Sequence, residues 1–381
     1  MTPLLDQLAS TVGAGYVSAD PEVLAGRAID HTGRYRGHAQ ALVRPGTAAE
    51  VAAVLTVCRD AGACVTVQGG RTSLVAGTVP EHDDVLLSTE RLTTLGEVDV
   101  AERRVTVGAG VTLAAVQRAA NAAGLLFGVD LAARDSATIG GMASTNAGGL
   151  RTVRYGNMGE QILGLQVALP DGSVLARHSQ VRSDNTGYDL TALLVGAEGT
   201  LGVITALDLR LHPTPPQRVT AICGFDDLDA LSESGRGFRD MDGIAALELI
   251  DARASALTAE HVGVAAPVDG AWQLLIELAG DTDQTERLAD ALDDARLSDE
   301  PAVGVDVAAQ QRLWQVRESV AEVLGGGERY IAHALAYLEH LELPTRMFPS
   351  PLPPLPTAGV VRPAGPIEGA GWSKLVPRTF E

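Results

Sequence analysis

Two glycine-rich stretches decide the fold of this chain: Q-G-G-R-T-S-L-V-A-G at residues 68–77 and D-S-A-T-I-G-G-M-A-S-T-N-A-G-G at residues 135–149. Each follows an extended segment and combines glycines with small hydroxyl residues. In such a loop several backbone N–H groups can approach one bound anion without a Cβ atom in the way. A single Gly-Gly pair is typical of a tight turn, but the two stretches together predict a diphosphate-bearing cofactor.

The residues before the first stretch predict a strand, a helix and a second strand. A-L-V-R-P at residues 41–45 is typical of a short buried strand, and Thr47 with Glu50 has the pattern of a capping box. An apolar helical stripe follows at Val51, Val54, Leu55 and Cys58. C-V-T-V at residues 64–67 is the next strand, and the first stretch begins at its carboxyl end, where α/β layers bind ligands. The G-x-G-x-x-G spacing of a Rossmann site is absent, which disfavours a nicotinamide cofactor.

A third glycine-rich stretch, G-A-E-G-T-L-G-V-I-T, follows the other two along the chain at residues 196–205, and the order of all three is informative. With this set the chain resembles the FAD-linked oxidase and dehydrogenase superfamily that has the vanillyl-alcohol-oxidase (PCMH) type of FAD domain. Within that superfamily it is most similar to the D-lactate, glycolate and D-2-hydroxyglutarate dehydrogenase branch. The resemblance covers residues 36–216 and continues more weakly to Glu318. It implies an α+β fold, with a two-subdomain FAD-binding domain followed by a cap domain of antiparallel sheet and helices.

The resemblance also implies which residues bind FAD. The first stretch wraps the pyrophosphate, and the third holds the adenosine and closes the site. The positions carried over are Gly69, Gly70, Thr72, Ser73, Leu74, Ser136, Thr138, Gly140, Gly141, Thr145, Asn146, Gly148, Gly149, Glu198, Gly199, Gly202 and Ile204. Family members with covalent flavin often have a histidine just after the Gly-Gly, where this chain has Arg71, so the flavin is expected to be non-covalent. Arg71 either helps to neutralise phosphate or is a solvated loop residue.

The chain is predicted to have four segments. Residues 1–35 are helical and then irregular, with a helix start at Asp20-Pro21. Residues 36–214 form the FAD-binding domain, with a helix at 111–124 and a hairpin turn at 169–173. T-P-P-Q at residues 214–217 is a linker. Residues 218–324 form the cap domain, in which strands and helices alternate, and residues 325–381 are an atypical proline-rich tail.

Arg317 is the predicted substrate contact. It lies in R-L-W-Q-V-R-E, which is similar to the family's W-x-x-R-E element, whose arginine grips the substrate carboxylate. A guanidinium can donate two parallel hydrogen bonds to that group. The alternative is a helix arginine paired with a surface acid such as Glu318. Glu248 and Asp251, in A-L-E-L-I-D, are expected to be solvated and are assigned no chemistry.

The family's C-terminal motif H-x-G-D-G-N-x-H, which supplies a metal site and a base, is absent from the chain. No metal site and no catalytic base are therefore assigned. His333 and His340 are seven residues apart and would share a helix face, where a solvated position is favoured over a metal pair.

The tail differs from the rest of the protein. M-F-P-S-P-L-P-P-L-P-T-A-G-V-V-R-P-A-G-P at residues 347–366 has little apolar periodicity and is expected to be extended or disordered. A proline-rich binding segment is one explanation. The favoured one is that a frame change or truncation has replaced the family's C-terminal portion.

Composition limits the partners. A net charge of −19 disfavours nucleic acid and anionic membranes, because their phosphates would repel most of the surface. Three cysteines without C-x-x-C spacing are expected to be reduced thiols. No apolar run of transmembrane length and no signal peptide are found, so a cytoplasmic location is predicted.

Two functions remain open at the level of sequence. The first is oxidation of a small D-2-hydroxy acid by FAD, with electrons leaving to an acceptor other than NAD. The second is a flavin-binding subunit or remnant, similar to the short glycolate-oxidase component, that needs a partner chain for turnover. A sugar-nucleotide reductase with the same FAD domain is disfavoured, since W-Q-V-R-E stands where nucleotide-sugar elements are expected.

Overall fold

In this computed structural model the structure describes residues 3–178, 187–325 and 360–361. The helices, in chain order, are α1 (Pro3–Val12), α2 (Pro21–Arg27), α3 (Ala48–Asp60), α4 (Leu113–Ala122), α5 (Ile139–Ser144), α6 (Thr152–Tyr155), α7 (Met158–Gln161), α8 (Leu190–Leu194), α9 (Leu228–Arg239), α10 (Ala252–His261), α11 (Thr285–Asp293) and α12 (Val307–Gly325). The strands are β1 (Val17–Ser18), β2 (Ala39–Val43), β3 (Val65–Gln68), β4 (Asp84–Ser88), β5 (Arg104–Gly108), β6 (Leu125–Leu126), β7 (Ile162–Ala168), β8 (Val174–His178), β9 (Val203–Arg210), β10 (His212–Pro213), β11 (Gln217–Phe225), β12 (Ile244–Asp251), β13 (Trp272–Gly280), β14 (Ala302–Gly304) and β15 (Val360–Val361).

The first sheet contains the predicted strand–helix–strand unit. Its strand order is β1-β2-β4-β3-β15, with β2 and β3 both parallel to β4. Helix α3 begins at Thr47, whose hydroxyl accepts a hydrogen bond from Glu50 N at 3.1 Å. The Glu50 carboxylate reaches back to Gly46 N at 2.6 Å, one residue before the expected partner of a capping box. Since β3 and β4 are parallel, their carboxyl ends lie at the same sheet edge.

The second sheet, with order β5-β9-β7-β8, is antiparallel throughout. One apolar core joins it to the first sheet: Val54 and Leu55 of α3, Val85 of β4 and Leu207 of β9 are all at most 2% exposed and belong to the same cluster. These two sheets and their helices form the two-subdomain unit that the resemblance implies to be the FAD-binding domain. Loops between them lie over the carboxyl edge of β3 and β4.

The third sheet forms the cap domain and has the order β12-β13-β11-β14, again antiparallel. Alternate residues of a strand face opposite sides, and both sides are covered. Leu274 and Ile276 of β13 pack with Phe238 of α9, while Leu275 packs with Leu313 of α12. The predicted α+β architecture, with an antiparallel cap covered by helices, is confirmed.

Two buried cysteines lie in these cores. Cys58 and Cys223 are each about 1% exposed or less, and burial raises the pKa of each thiol to about 12. At neutral pH both are thiols rather than nucleophilic thiolates.

Candidate cofactor site and interdomain side chains

The three glycine-rich stretches meet at one cavity, next to the carboxyl ends of β3 and β4. Its empty volume is about 590 Å³, including the open mouth. Half of the predicted FAD-binding residues line it: Gly69, Ser73, Gly140, Gly141, Thr145, Glu198, Gly199, Gly202 and Ile204. Residues more than a hundred positions apart in sequence are thus brought to one wall.

The first stretch presents backbone donors without protein acceptors. Within the described part of the chain, the amides of Thr72, Ser73 and Leu74 make no hydrogen bond to backbone or side chain. Consecutive N–H groups without a protein acceptor are available to bind an anion, and Ser73 lines the cavity itself. The loop is therefore suited to hold a diphosphate.

The first and second stretches are pressed together. A Cβ atom on Gly70 would lie 1.9 Å from the Ser136 carbonyl oxygen, far inside van der Waals contact. The Thr138 hydroxyl accepts hydrogen bonds from Gly70 N at 3.2 Å and from Gly141 N at 3.4 Å. Thr138 and Ser136 do not line the cavity, but they fix the loop that does.

Each stretch also contains a non-glycine residue in the left-handed region. These residues are Arg71 (φ 55°) and Ala76 (φ 60°) in the first stretch, Asn146 (φ 46°) in the second and Glu198 (φ 51°) in the third. Such backbone is uncommon for side chains with a Cβ and concentrates at ligand sites. Glu198 is held by a hydrogen bond from its N–H to Ser144 O at 2.8 Å, and Asn146 by one from Gly159 N to its side chain at 2.9 Å.

The other predicted residues do not line the cavity. Gly149 N donates to Thr152 Oγ1 at 2.7 Å, and a Cβ at Gly148 would lie 3.0 Å from the Asn157 side chain. Leu74 is 55% exposed. The Arg71 guanidinium donates to Gly26 O at 3.0 Å, so its observed contact is with the N-terminal segment.

Six lining residues were not predicted: Val67, Gly77, Thr78, Thr89, Ser144 and Val203. Gly77 and Ser144 lie inside the two quoted stretches, so the motif itself was a signal for them. Thr89 had a weaker signal. It follows β4, and its position depends on β4 pairing in parallel with β3.

Arg317 does not line the cavity at β3 and β4 but pairs with Glu248. Its Nε donates to Glu248 Oε2 at 2.7 Å, and the two side chains are 26% and 18% exposed. The expectation that Glu248 is solvated is wrong, because β12 places it under α12. Asp251 caps α10 by accepting from Arg253 N and Ala254 N. Nη1 and Nη2 of Arg317 have no acceptor among the described residues.

The rest of W-x-x-R-E is also paired. Trp314 Nε1 donates to Glu277 Oε2 at 2.9 Å, and Glu318 accepts from Arg134 at 2.5 Å. Because Glu277 lies on β13 and Arg134 in the FAD-binding domain, the element joins α12 to the sheet and to the other domain. The proposed Arg317–Glu318 surface pair is not formed in this arrangement.

Glu277 is 2% exposed and also accepts from Arg151 Nε at 3.1 Å, while Arg151 Nη1 donates to Asp130 at 3.2 Å. Burial alone would lower the pKa of Arg151, but Glu277 and Asp130 outweigh it and the pKa is raised. A buried carboxylate with fixed donors is costly to remove. We call Asp130, Arg134, Arg151, Glu277, Trp314 and Glu318 the interdomain network.

Among the described residues, no group of three or more His, Cys, Asp or Glu side chains could hold a metal ion. His212 Nε2 lies 2.8 Å from Gln161 Oε1. Burial lowers the pKa of His212 to about 4, and the charges of Arg210, Arg154 and Arg103 add to the effect.

His333, His340 and all of the proline-rich segment at 347–366 except Val360 and Val361 lie outside the described residues. Those two form β15 on the edge of β3.

Known proteins of this fold carry the same architecture. The chain aligns with p-cresol methylhydroxylase with substrate bound at a TM-score of 0.70 and 17% identity, over 84% of this chain and 71% of that one. With 4-ethylphenol oxidase from Gulosibacter chungangensis the TM-score is 0.69 and the sequence identity 18%, over 88% of this chain and 71% of the oxidase. These likenesses establish the PCMH-type fold.

Sequence comparison is more specific. Residues 39–176 match the family model of the FAD binding domain, and residues 214–337 match that of the C-terminal domain of FAD linked oxidases, which extends beyond Glu318. A D-2-hydroxyglutarate dehydrogenase of Xanthomonas citri is 33% identical, over 84% of this chain and 69% of the relative. The mitochondrial D-2-hydroxyglutarate dehydrogenase of Bos taurus is 36% identical, over 81% and 58%. A putative mitochondrial D-lactate dehydrogenase of Schizosaccharomyces pombe is 32% identical, over 81% and 60%.

The fold and the cavity define a protein with a PCMH-type FAD-binding domain. The chain belongs to the FAD-linked oxidase and dehydrogenase family, in the group that contains the 2-hydroxy acid dehydrogenases. It spans about 58–60% of the length of several of these relatives.

Proposed function

We propose that the protein binds FAD in the cavity at β3 and β4 and oxidises a small D-2-hydroxy acid, of lactate, glycolate or 2-hydroxyglutarate type, to the 2-oxo acid. The convergence of three separate glycine-rich stretches on this cavity carries the proposal. The unpaired amides of Thr72, Ser73 and Leu74 suit the pyrophosphate. Relatives named as D-2-hydroxyglutarate and D-lactate dehydrogenases support the substrate class.

When bound, FAD supplies the hydride acceptor. The chain's own part in the reaction is to hold the acid. Arg317 is our choice for the carboxylate clamp, since its Nε is fixed by Glu248 and its two terminal nitrogens remain available for a bidentate grip. Glu248 then acts as a positioning residue. It prevents the guanidinium from rotating and neutralises part of its charge.

FAD binding is proposed to be non-covalent, because Arg71 occupies the position of the histidine used by covalent relatives. An arginine side chain does not form that link. Electrons are proposed to leave to an acceptor other than NAD, in keeping with the absence of a Rossmann spacing.

The alternative function is a flavin-binding subunit that needs a partner chain. The observation that favours it is the absence of H-x-G-D-G-N-x-H from the whole sequence, since oxidation of the substrate requires a group to take the hydroxyl proton. The two functions share the FAD site and differ only in turnover.

The compartment is proposed to be the cytoplasm, because the three cysteines lack C-x-x-C and disulfide-framework spacing, although the names of several relatives say mitochondrial. Among the described residues no helix is both long and apolar enough to cross a bilayer.

One experiment separates the functions. The purified protein is loaded with FAD, and D-lactate, glycolate and D-2-hydroxyglutarate are added in turn without oxygen. Bleaching of the flavin absorbance by one acid supports the dehydrogenase and names its substrate. A yellow protein that stays oxidised supports the subunit. A colourless protein that cannot take up FAD contradicts both.

A further inference from the structure

A second cavity lies between α12 and the FAD-binding domain, next to the interdomain network. Its empty volume is about 1590 Å³, including its open mouth. Four arginines line it, Arg134, Arg151, Arg218 and Arg312, with three carboxylates, Asp130, Glu277 and Glu318. In a chain with a net charge of −19 this is a local excess of positive charge.

All three carboxylates are already engaged by other donors. Arg134 binds Asp130 at 2.9 Å and Glu318 at 2.5 Å. Arg151 binds Asp130 at 3.2 Å and Glu277 at 3.1 Å. The remaining Glu277 oxygen accepts from Trp314. The acids of the cavity thus neutralise Arg134 and Arg151.

Arg218 is left without a hydrogen-bond acceptor among the described residues. The nearest carboxylate oxygen, Glu277 Oε1, is 4.0 Å from its Nη1, and that oxygen already accepts from Arg151. The Arg218 side chain is only 26% exposed. Burial lowers the pKa of Arg218, and the charges of Arg151 and Arg154 act in the same direction while Glu277 opposes them. A partly buried guanidinium in this state gains from an added anion.

We propose that this cavity binds a small carboxylic acid, with the Arg218 guanidinium as its principal contact. A guanidinium fits a carboxylate with two parallel hydrogen bonds. A carboxylate group brings one negative charge to Arg218, whereas a phosphate dianion would place two beside the three carboxylates that line the wall. The carboxylate belongs either to a separate small acid or to the second acidic group of a dicarboxylic substrate held at Arg317.

The test uses the full chain loaded with FAD and glutarate, a dicarboxylate without a hydroxyl group to oxidise. Binding is measured by titration calorimetry. In Arg218→Gln the affinity should fall by about tenfold or more, as expected for loss of a charge-assisted contact. The control is Arg236→Gln, on the exposed face of α9, where the arginine donates to Ser232 and to no other described residue. It should bind glutarate like the unaltered protein.

Arg218→Lys keeps the positive charge but not the fork, so it should retain part of the affinity and guards against a folding defect in Arg218→Gln. Inorganic phosphate, added in place of glutarate, should bind at least tenfold more weakly. Equal affinities in Arg218→Gln and Arg236→Gln, or no glutarate binding by yellow, folded protein at about 10 mM, would overturn the inference.

Arg317→Gln identifies the source of the carboxylate. If this variant also lowers the affinity for glutarate about tenfold, one dicarboxylate contacts both Arg218 and Arg317. If it leaves glutarate binding unchanged, the cavity takes a separate acid. Neither result depends on whether the flavin is reduced by a 2-hydroxy acid, so failure of the proposed oxidation leaves the carboxylate inference standing.

Discussion

The cofactor cavity and the interdomain network are built from different materials. The cavity is made of backbone: glycines, free amides and left-handed residues from three stretches. The network is made of long charged side chains that reach from one domain to the other. A binding site made of backbone atoms produces a local sequence motif, because the residues that approach a ligand must be glycines or small hydroxyl residues. Side-chain networks leave no such motif, since each partner lies far away along the chain.

Removing the centre of the network should have the largest effect. Glu277→Ala leaves Arg151 without its closest carboxylate and Trp314 without its acceptor, and we expect a loss of about 3–5 kcal/mol in unfolding free energy. Chemical denaturation measures it.

The matched variant is Glu277→Gln, which keeps an acceptor of the same shape and should lose clearly less. Equal stability of Glu277→Ala and the unaltered protein would show that the network does not hold the two domains together.

A single methyl group added at Gly70 should disrupt the cofactor cavity. Gly70→Ala places a Cβ 1.9 Å from the Ser136 carbonyl, so the first two stretches must separate. We expect FAD binding to be lost and the unfolding free energy to fall by about 1–3 kcal/mol. Flavin absorbance per protein and thermal melting report the two effects.

Gly235→Ala is the control, since a Cβ at this position in α9 would meet nothing within 4 Å. It should keep FAD and gain about 0.5–1 kcal/mol from helix propensity. If both alanine variants hold FAD equally, the close packing of the stretches is unnecessary for the site.

The Arg317–Glu248 ion pair extends the comparison to the cap domain. It tests whether a half-buried ion pair there has a larger coupling free energy than an ion pair on the surface. A double-mutant cycle with Arg317→Gln and Glu248→Gln should give a coupling of about 1–2 kcal/mol. The same cycle on Arg296 and Glu233, which are 65% and 70% exposed, should give less than about 0.5 kcal/mol. Equal couplings would mean that Glu248 does not position Arg317.

A further effect depends on pH. The folded pKa of His212, about 4, lies below its ordinary value of 6.5. Between these values the unfolded chain binds a proton that the folded chain does not, so this group makes stability fall as pH is lowered from about 6.5 to 4. His212→Gln should show a flatter decline across that window. An unchanged slope in denaturation at several pH values would refute the assignment.

The convergence of the three stretches on one cavity was predictable from the sequence for physical reasons, while the binding of FAD by their residues stays a prediction. Ser73, Gly140 and Glu198 line it because hydroxyls, glycines and turn residues mark the loops themselves. Thr89 was missed because its place depends on the pairing of β3 with β4. Glu248 was misjudged because alternation along a strand shows which face a residue takes, but not that α12 covers that face with Arg317. Glu277, Asp130 and Arg151 had no local signal at all.

A crystal structure of the FAD-loaded protein tests the central claim most directly. We predict that the pyrophosphate oxygens lie about 3 Å from the amides of Thr72, Ser73 or Leu74, within the cavity at the carboxyl ends of β3 and β4. We also predict no covalent bond between the flavin and the chain. A flavin bound elsewhere, a diphosphate held by side chains while these amides stay unpaired, or a covalent flavin link would contradict it.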